Sequence, residues 1–255
     1  MSGQFVIAQI SDMHVRAGPN ADGFDPAGDV ERALQQIEAL GADVIIATGD
    51  LVNDARAEEY AALAEALGGA SAPLFLVPGN HDNRDRLRAA FPDHAYLPER
   101  GRLSYTVENF PVRIVALDQI VPGETGGDFS EDCARWLDET LRAAPFRPTM
   151  IALHHPPFLT GDRLLDTIGL KHFDRFAEIV KRSPQVGLVV CGHHHRPVLG
   201  RVAHAPAVIA PSTAWSFSLA FREGQPFARK EPASKGWCLH VWAPEKGFST
   251  HFMAL

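Results

Sequence analysis

Short apolar runs that are followed directly by polar side chains limit the possible folds of this chain more than any other feature of its sequence. Five runs typical of buried β-strands are each followed directly by Asp, Asn or His side chains. These polar sets are Ser11–His14, Thr48–Asp50, Pro78–Asp82, His154–Pro157 and Gly192–His195. Ligand sites in α/β sheets lie at the carboxyl ends of strands, so we expect the five sets to form one site.

Glycine within three of these sets supports that expectation. Gly49, Gly79 and Gly192 each come immediately before a candidate site residue. A glycine lets the backbone turn sharply where the strand stops. The side chain after each glycine is therefore expected to face a common centre.

The apolar runs alternate with helical patterns, which predicts an α/β layered fold. Strands are predicted at residues 4–10, 42–48, 72–77, 149–154 and 186–191, with a hairpin at 103–109 and 112–118. Helices are predicted at residues 26–40, 57–67, 84–90, 133–143 and 170–181. Short strands in the last quarter predict a sheet of mixed direction. The chain of 255 residues contains no repeat or linker, so a single domain is expected over 1–255.

Composition excludes several classes of protein. The formal net charge is -7 and no basic run stands out, which argues against a nucleic-acid partner. Three widely spaced cysteines predict a reducing compartment and not a disulfide framework. The amino-terminal segment lacks a basic region, and no apolar stretch approaches the ~20 residues of a membrane span. We therefore expect a cytoplasmic protein without a membrane partner.

Each polar set has an ordinary explanation when it is taken alone. Gly-Asp and Gly-Asn-His-Asp occur in turns, where Asp and Asn bond to the local backbone. An Asp-x-His after a strand is more often a cap beside a surface histidine than a metal site. Five sets together supply enough oxygen and imidazole ligands for two metal ions, which turn chemistry does not require. The combination predicts a dinuclear metal site.

The consecutive histidines at 193–195 are expected to differ in role. Successive side chains of an extended segment leave on opposite sides. His193 and His195 are therefore predicted to point together, and His194 away from them. His155 is expected to brace its loop or to hydrogen-bond a group behind the metals, not to bind a metal.

The motifs D-x-H, G-D, G-N-H-D, H-H-P-P and G-H-x-H occur in this order within about residues 4–215. In these motifs the chain resembles the calcineurin-like metallophosphoesterases. It is most similar to their bacterial branch of class III cyclic nucleotide phosphodiesterases and glycerophosphodiesterases. The resemblance implies a four-layer αββα sandwich, in which two mixed sheets are flanked by helices and two metal ions lie at the carboxyl ends of the strands.

The resemblance also implies a complete set of metal ligands. One metal would be held by Asp12, His14, Asp50 and His195. The other would be held by Asp50, Asn80, His154 and His193. Asp50 would bridge the metals, since its two oxygens can bind ions about 3.5–4 Å apart, and His194 would bind neither. Oxygen and imidazole ligands without thiolate suit iron, manganese, zinc or cobalt alike.

Catalytic roles follow from the same resemblance. A hydroxide that bridges the metals would attack the phosphorus in line, and His81 would stabilise or protonate the leaving oxygen. In the Ser/Thr protein phosphatases a GDxxDR stretch supplies an Asp that orients this histidine, and Asn53 stands at that position here. Asn53, as a neutral partner, would leave His81 less basic. No Arg follows Asp54, so a phosphate clamp is missing and protein phosphatase activity is disfavoured.

The leading prediction is a phosphodiesterase for small phosphodiesters, with 3′,5′-cyclic nucleotides such as cyclic AMP as the first choice. A glycerophosphodiesterase is the alternative. The start SDMHVRAG is slightly closer to those enzymes, whereas the end at Leu255 is short of the longer cap of their hexameric members. The motifs do not separate the two.

Other properties of the predicted enzyme depend on segments outside the motifs. Pocket walls are expected from residues 158–170 and 211–235, where Arg163, Trp215, Phe217 and Arg222 have open roles. The resemblance also suggests a homodimer. A scaffold is disfavoured because every ligand and His81 are present, and a nuclease is disfavoured by the acidic charge.

Overall fold

The computed structural model describes residues 3–18, 23–225, 230–231 and 234–255. Its strands, in chain order, are β1 (Phe5–Ile10), β2 (Val44–Thr48), β3 (Leu74–Val77), β4 (Tyr105–Val107), β5 (Arg113–Ala116), β6 (Gly127–Asp128), β7 (Thr149–Ala152), β8 (Leu170–Lys171), β9 (Val186–Cys191), β10 (Val198–Val202), β11 (Ala205–Ile209), β12 (Ser216–Phe217), β13 (Lys230–Glu231), β14 (Gly236–Ala243) and β15 (Gly247–Ala254). Its α-helices are α1 (Pro26–Leu40), α2 (Ala57–Leu67), α3 (Arg84–Ala90), α4 (Glu131–Arg142) and α5 (Phe173–Lys181), with a 3₁₀ helix at Leu165–Ile168.

Two large mixed sheets form the centre of the fold. The first has the strand order β15-β14-β1-β2-β3, and the second has the order β10-β11-β9-β7-β5-β4. Strands β1, β2 and β3 run parallel to one another, as do β5, β7, β9 and β11. Antiparallel strands lie at the sheet edges, namely β14 and β15 in the first sheet and β10 and β4 in the second. The parallel strands are the ones that carry the polar sets.

The packing of β9 shows the order of the layers. Val190 belongs to the larger apolar core, which contains facing residues of the two sheets and continues past the first sheet to the apolar faces of α1 and α2. Its neighbours Val189 and Cys191 belong to a second core, together with Leu137 of α4 and Phe176 of α5. Because alternate side chains of a strand point to opposite faces, β9 is buried on both. The layers are therefore helix, sheet, sheet and helix, which confirms the predicted αββα sandwich.

Helix α1 shows how local sequence determines one of these elements. The side chain of Asp25 accepts a hydrogen bond from the N–H of Gly28, and Pro26 occupies the first turn. Gly41 ends the helix in the left-handed conformation, with φ of 66°. The buried residues of the helix include Val30, Ala33, Leu34 and Ile37. This face packs on the first sheet as part of the larger apolar core, as its apolar spacing predicts.

The helix predicted at 170–181 begins three residues later than expected. Leu170 and Lys171 form β8, which pairs in parallel with Gly127 and Asp128 of β6. His172, with φ of 58°, then turns the chain into α5. The apolar Leu170 therefore belongs to a strand pair and not to the helical face. In the described part of the chain, no helix has the length and hydropathy to cross a lipid bilayer.

Candidate metal centre

The polar sets meet at one edge of the sandwich, where the parallel strands of both sheets end. The N–H of Asp12 donates to the main-chain oxygen of Gly49 at 3.0 Å, which joins the first set to the second. The N–H of His193 donates to both carboxylate oxygens of Asp12, at 2.9 and 3.0 Å. The N–H of His81 donates to Oδ1 of Asp50 at 2.9 Å. These bonds connect sets from both sheets into one site.

One cluster of ligand atoms matches the first metal set that the resemblance implies. Its atoms lie within 4.8 Å of one another and come from Asp12, His14, Asp50 and His195. All four side chains are buried. Oxygen and nitrogen atoms that converge in this way form a donor set for a transition-metal ion.

A second cluster lies next to the first. Its atoms, again within 4.8 Å, come from His154, His155 and His193. Nε2 of His154 is 3.1 Å from Oδ1 of Asn80 and 3.3 Å from Oδ1 of Asp50. The other oxygen of Asp50, Oδ2, is 3.7 Å from Nε2 of His14 in the first cluster. The two oxygens of Asp50 therefore face different clusters.

Main-chain carbonyls set the orientation of three histidine rings. Nδ1 of His154 is 2.9 Å from the oxygen of Thr48, and Nδ1 of His195 is 2.9 Å from the oxygen of Trp215. Nε2 of His193 is 3.1 Å from the oxygen of Ile168. A carbonyl only accepts, so in each ring the bonded nitrogen carries the proton. In the neutral form of each ring the other nitrogen has its lone pair, as a metal ligand requires.

His155 differs from the other histidines of the second cluster. Its Nδ1 is 2.9 Å from the side-chain amide of Gln119, and its Nε2 is 3.0 Å from the main-chain oxygen of Thr125. Burial, followed by the nearby charge of His154, lowers the pKa of His155 to about 3. Both ring nitrogens thus bond to groups of the chain, which supports the expected bracing role.

The titration of the buried acids shows what charge the site attracts. Burial raises the pKa of Asp12 from 3.8 to about 7, although His154 acts in the opposite direction. Burial also opposes ionisation of Asp50, but the imidazoles, that of His154 first, hold its pKa well below 3.8. Burial disfavours the charged form of His154, yet Asp50 outweighs it and raises that pKa to about 9. The buried carboxylates are therefore stabilised by nearby positive charge, and they stabilise it in return. This is the electrostatic requirement of a cation site.

Several of these residues have an unusual backbone conformation. The candidate ligands with positive φ are Asp12 (51°), His14 (44°), Asp50 (48°), His193 (71°) and His195 (57°). Left-handed backbone is uncommon for residues other than glycine, because it is strained. Such strained residues are concentrated at functional sites. The segment 193–195 is therefore not extended. The prediction that its side chains alternate as in a strand is wrong. His193 and His195 nevertheless reach the two separate clusters, because the backbone turns at each of these residues.

Gly49 and Gly192 are required for different reasons. Gly49 has φ of +89°, and a β-carbon there would lie 2.4 Å from Nδ1 of His154. A β-carbon at Gly192 would lie 2.0 Å from Oγ of Ser11 and 2.6 Å from Oδ2 of Asp12. The first glycine allows a turn, whereas the second allows the two sheets to approach at the site.

His81 lies at the accessible side of the centre. Its side chain is exposed, and its ring packs edge-on against His14 with centroids 4.7 Å apart. Nδ1 of His81 is 2.6 Å from the main-chain oxygen of Asn53. The side chain of Asn53 instead donates to Oδ1 of Asp54 at 3.0 Å. Asn53 thus contacts His81 through its backbone and not through its side chain.

Two aromatic residues, Trp215 and Phe217, contact the first cluster. The ring of Trp215 stacks on that of His14 with centroids 4.6 Å apart. The ring centroids of Phe217 and His195 are 4.4 Å apart. Trp215 is 1% exposed, so it supports ligands and does not form a pocket wall. Arg163 and Arg222 are exposed and line a separate cavity of about 300 Å³.

A cavity of about 320 Å³ adjoins the histidine loop. Its walls come from both segments predicted to form the pocket, and they include Leu165, Leu219 and Phe221. Of the second segment, residues 226–229 and 232–233 lie outside the described residues. His194 also lines this cavity, and its Nδ1 is 3.4 Å from Oγ1 of Thr160. His194 therefore faces the cavity and belongs to neither cluster.

His194→Ala is expected to leave metal content unchanged, because its ring is directed to Thr160 and the cavity. His195→Ala is the matched comparison, since it removes a member of the first cluster and should lower metal content. Elemental analysis of both purified variants measures the difference. An equal loss of metal in the two variants would contradict the assignment of His194.

Residues to which the motifs assign no role also support the centre. Asp118 follows β5 and forms a bidentate pair with Arg84, at 2.6 and 2.7 Å. Gln119 contacts His155 as described. Asp82 accepts from the N–H groups of Leu51 (3.1 Å) and Gly79 (2.8 Å). The signal for Asp118 and Gln119 was present, because they too are polar residues directly after an apolar run.

A four-layer sandwich with two carboxylate and imidazole clusters at its strand ends defines a metal-dependent phosphoesterase. Comparison with known families agrees with this class. The family described as Calcineurin-like phosphoesterase matches residues 5–197, and the chain belongs to it.

Individual proteins refine this comparison. The probable glycerophosphodiester phosphodiesterase GpdQ of Arcobacter nitrofigilis is 29% identical, over 96% of this chain and 92% of its own length. The 3′,5′-cyclic adenosine monophosphate phosphodiesterase CpdA of Vibrio vulnificus is 30% identical, over 83% of this chain and 77% of its own. Among solved structures, a dimetal phosphatase from Danio rerio matches with a TM-score of 0.69 at 15% identity, over 98% of each chain. That last likeness concerns the fold alone.

Proposed function

We propose that this protein is a dinuclear-metal-dependent phosphodiesterase that hydrolyses small phosphodiesters. The observation that carries the proposal is Asp50, whose two carboxylate oxygens face the two neighbouring clusters. The proposed ligands of one ion are Asp12, His14, Asp50 and His195. Those of the other are Asp50, Asn80, His154 and His193. The named relatives of the family support phosphodiesters as the substrate class.

The donor set fits transition-metal ions, because it combines carboxylate, amide and imidazole groups without thiolate. Iron, manganese, zinc and cobalt all suit it. Such ions, when bound, acidify a water molecule and offset the charge that develops on a phosphoryl group.

The residues of the chain provide the rest of the reaction. Asp12 and Asp50 supply negative charge in a buried site, and the carbonyl-bonded histidines hold their lone pairs toward it. The Nδ1–H of His81 donates to the main-chain oxygen of Asn53, so Nε2 is directed to the exposed side. In its protonated form this nitrogen donates a proton to the leaving alkoxide or stabilises its charge.

For the substrate we propose 3′,5′-cyclic nucleotides such as cyclic AMP. The support is the cavity beside His194, which is lined mainly by apolar side chains such as Leu165, Leu219 and Phe221. Apolar and aromatic walls with a few polar groups suit a flat nucleobase better than a small polar alcohol. This choice places the base in the cavity and the phosphate at the ions.

A glycerophosphodiester is the second candidate, and one specific observation favours it. The alignment with the probable GpdQ of Arcobacter nitrofigilis covers 96% of this chain, compared with 83% for the CpdA of Vibrio vulnificus. An alignment over 96% of the chain cannot omit the whole of segment 211–235, one of the two segments expected to form pocket walls.

Turnover on a panel of substrates tests the proposal. The purified enzyme, reconstituted with Mn(II), is given cyclic AMP, glycerophosphoethanolamine and a phosphomonoester side by side, and phosphorus-containing products are followed. We expect the highest kcat/KM with cyclic AMP and little turnover of the monoester. Preference for glycerophosphoethanolamine would establish the second candidate, and absence of turnover on all three would support a scaffold.

The compartment, the oligomeric state and the number of domains also belong to the proposal. The described cysteines, Cys133, Cys191 and Cys238, are buried and free, which fits the reducing environment of the cytoplasm. The homodimer and the single domain over 1–255 stay predictions.

A further inference from the structure

The buried side chain of Gln9, on β1, joins the two sheets beside the metal centre. Its amide nitrogen donates to Oγ1 of Thr48 at 2.8 Å and to the main-chain oxygen of Cys191 at 2.9 Å. Thr48 ends β2 in the first sheet, and Cys191 ends β9 in the second. The amide has two hydrogens, so Gln9 uses one for each sheet.

A hydrogen-bonded chain behind Gln9 determines the orientation of its amide. Oε1 of Gln9 accepts from Nε2 of His240 at 3.0 Å, and Nδ1 of His240 accepts from the hydroxyl of Thr250 at 2.8 Å. Burial lowers the pKa of His240 to about 3, so the ring is neutral and carries its proton on Nε2. If the amide group of Gln9 were rotated by 180°, its NH₂ group would face the Nε2–H of His240. Its oxygen would face the main-chain oxygen of Cys191. One orientation of Gln9 therefore satisfies every group.

Both partners of Gln9 lie directly behind the metal centre. The main-chain oxygen of Thr48 accepts from Nδ1 of His154 at 2.9 Å and from Oγ of Ser11 at 3.1 Å. Cys191 is followed by Gly192, where the sheets approach closely enough that a β-carbon would clash with Ser11. The amide of Gln9 thus joins the sheets at the point where the candidate ligands leave them.

We propose that Gln9 is a positioning residue that sets the separation between the metal ligands of the first sheet and those of the second. The inference rests on the proposed function, because it requires a dinuclear centre. Asp12 and Asp50 come from the first sheet, whereas His193 and His195 come from the second. Ions about 3.5–4 Å apart need these two halves at a defined distance, and the amide of Gln9 bonds to both sheets behind the ligands.

Gln9→Leu tests the inference, because it removes both amide donors and keeps similar bulk. We expect affinity for Mn(II) to fall about 10–100-fold, the range found when groups that orient metal ligands are removed. The exchange coupling between the two Mn(II) ions, measured by electron paramagnetic resonance, should also weaken. A purely structural role of Gln9 would change neither the affinity nor the coupling.

Gln36→Leu is the matched control. Oε1 of Gln36 accepts from Nε1 of Trp237 at 2.7 Å, and this bond links α1 to β14 without reaching the second sheet. Its loss should lower the melting temperature and leave Mn(II) affinity and coupling unchanged. Gln9→Leu with wild-type affinity and coupling, whatever its melting temperature, would overturn the inference.

A second variant covers the case in which Gln9→Leu does not fold. Thr48→Val removes only the acceptor in the first sheet, so a smaller fall in Mn(II) affinity is expected, and no fall at all would overturn the inference. A wild-type protein that binds fewer than two Mn(II) ions would overturn the proposed function, and the role of Gln9 with it. Two bound ions that are insensitive to both variants would overturn the role of Gln9 alone.

Discussion

Asp50→Ala is expected to abolish the binding of both metal ions. Each oxygen of this carboxylate faces a different cluster, with Oδ1 near His154 and Oδ2 near His14. The substitution therefore removes a ligand from each site and their shared negative charge. The surroundings hold the pKa of Asp50 well below 3.8 against the effect of burial, so the lost charge is present at neutral pH. Elemental analysis should show the metal content fall from two ions per chain to nearly none, together with phosphodiesterase activity.

Asp82→Asn is the control for this prediction. Asp82 is a buried carboxylate in the next loop, but it bonds to the backbone of Leu51 and Gly79 and belongs to neither cluster. Burial, followed by the charge of Asp50, raises its pKa to about 6, and asparagine keeps an oxygen that can accept from the same two N–H groups. This variant should keep two ions. If Asp50→Ala also kept two ions per chain, the bridging role of Asp50 would be wrong.

His81→Ala is expected to keep both ions and to slow the reaction in a way that depends on the leaving group. His81 contributes its main-chain N–H to Asp50, and its side chain reaches the exposed face without joining either cluster. General acid catalysis typically contributes about 10²–10⁴-fold, so kcat/KM for cyclic AMP should fall within that range. A nitrophenyl phosphodiester, whose leaving oxygen barely needs a proton, should lose much less.

The ratio of these two losses distinguishes the possible roles of His81. Electrostatic stabilisation of the phosphate would slow both substrates by similar factors. His251→Ala, which changes an exposed histidine on β15, serves as the control and should alter neither rate. Metal content is measured in the same samples. Equal losses for the two substrates would exclude proton donation, and loss of metal would make His81 a structural residue.

Much of the framework could be predicted from the chain because its signals are local. The bounds of α1, α2, α3 and β9 agree with the predictions, since capping residues and apolar spacing act over a few neighbours. The helix expected from residue 170 shows the limit of such signals. An apolar residue at Leu170 fits a helical face as well as a strand, and only its pairing with β6 decides between them.

The site shows the same division between local and long-range information. Asp12, His14, Asp50 and His195 were expected together and lie in one cluster. The predicted alternation of His193 and His195 is wrong, because both residues have positive φ and the segment is not extended. The backbone contact of Asn53 with His81 was equally out of reach, since a side-chain partner was inferred from position alone.

The sequence by itself determined the order of strands and helices, the polar residues at the strand ends and the motifs that mark the family. These properties arise from neighbours along the chain. Only the tertiary structure decided how the two sheets meet, which carbonyl orients each histidine, and that Gln9 and Trp215 lie behind the ligands. Such contacts join residues that are far apart along the chain, 182 positions in the case of Gln9 and Cys191, so no local pattern in the chain encodes them.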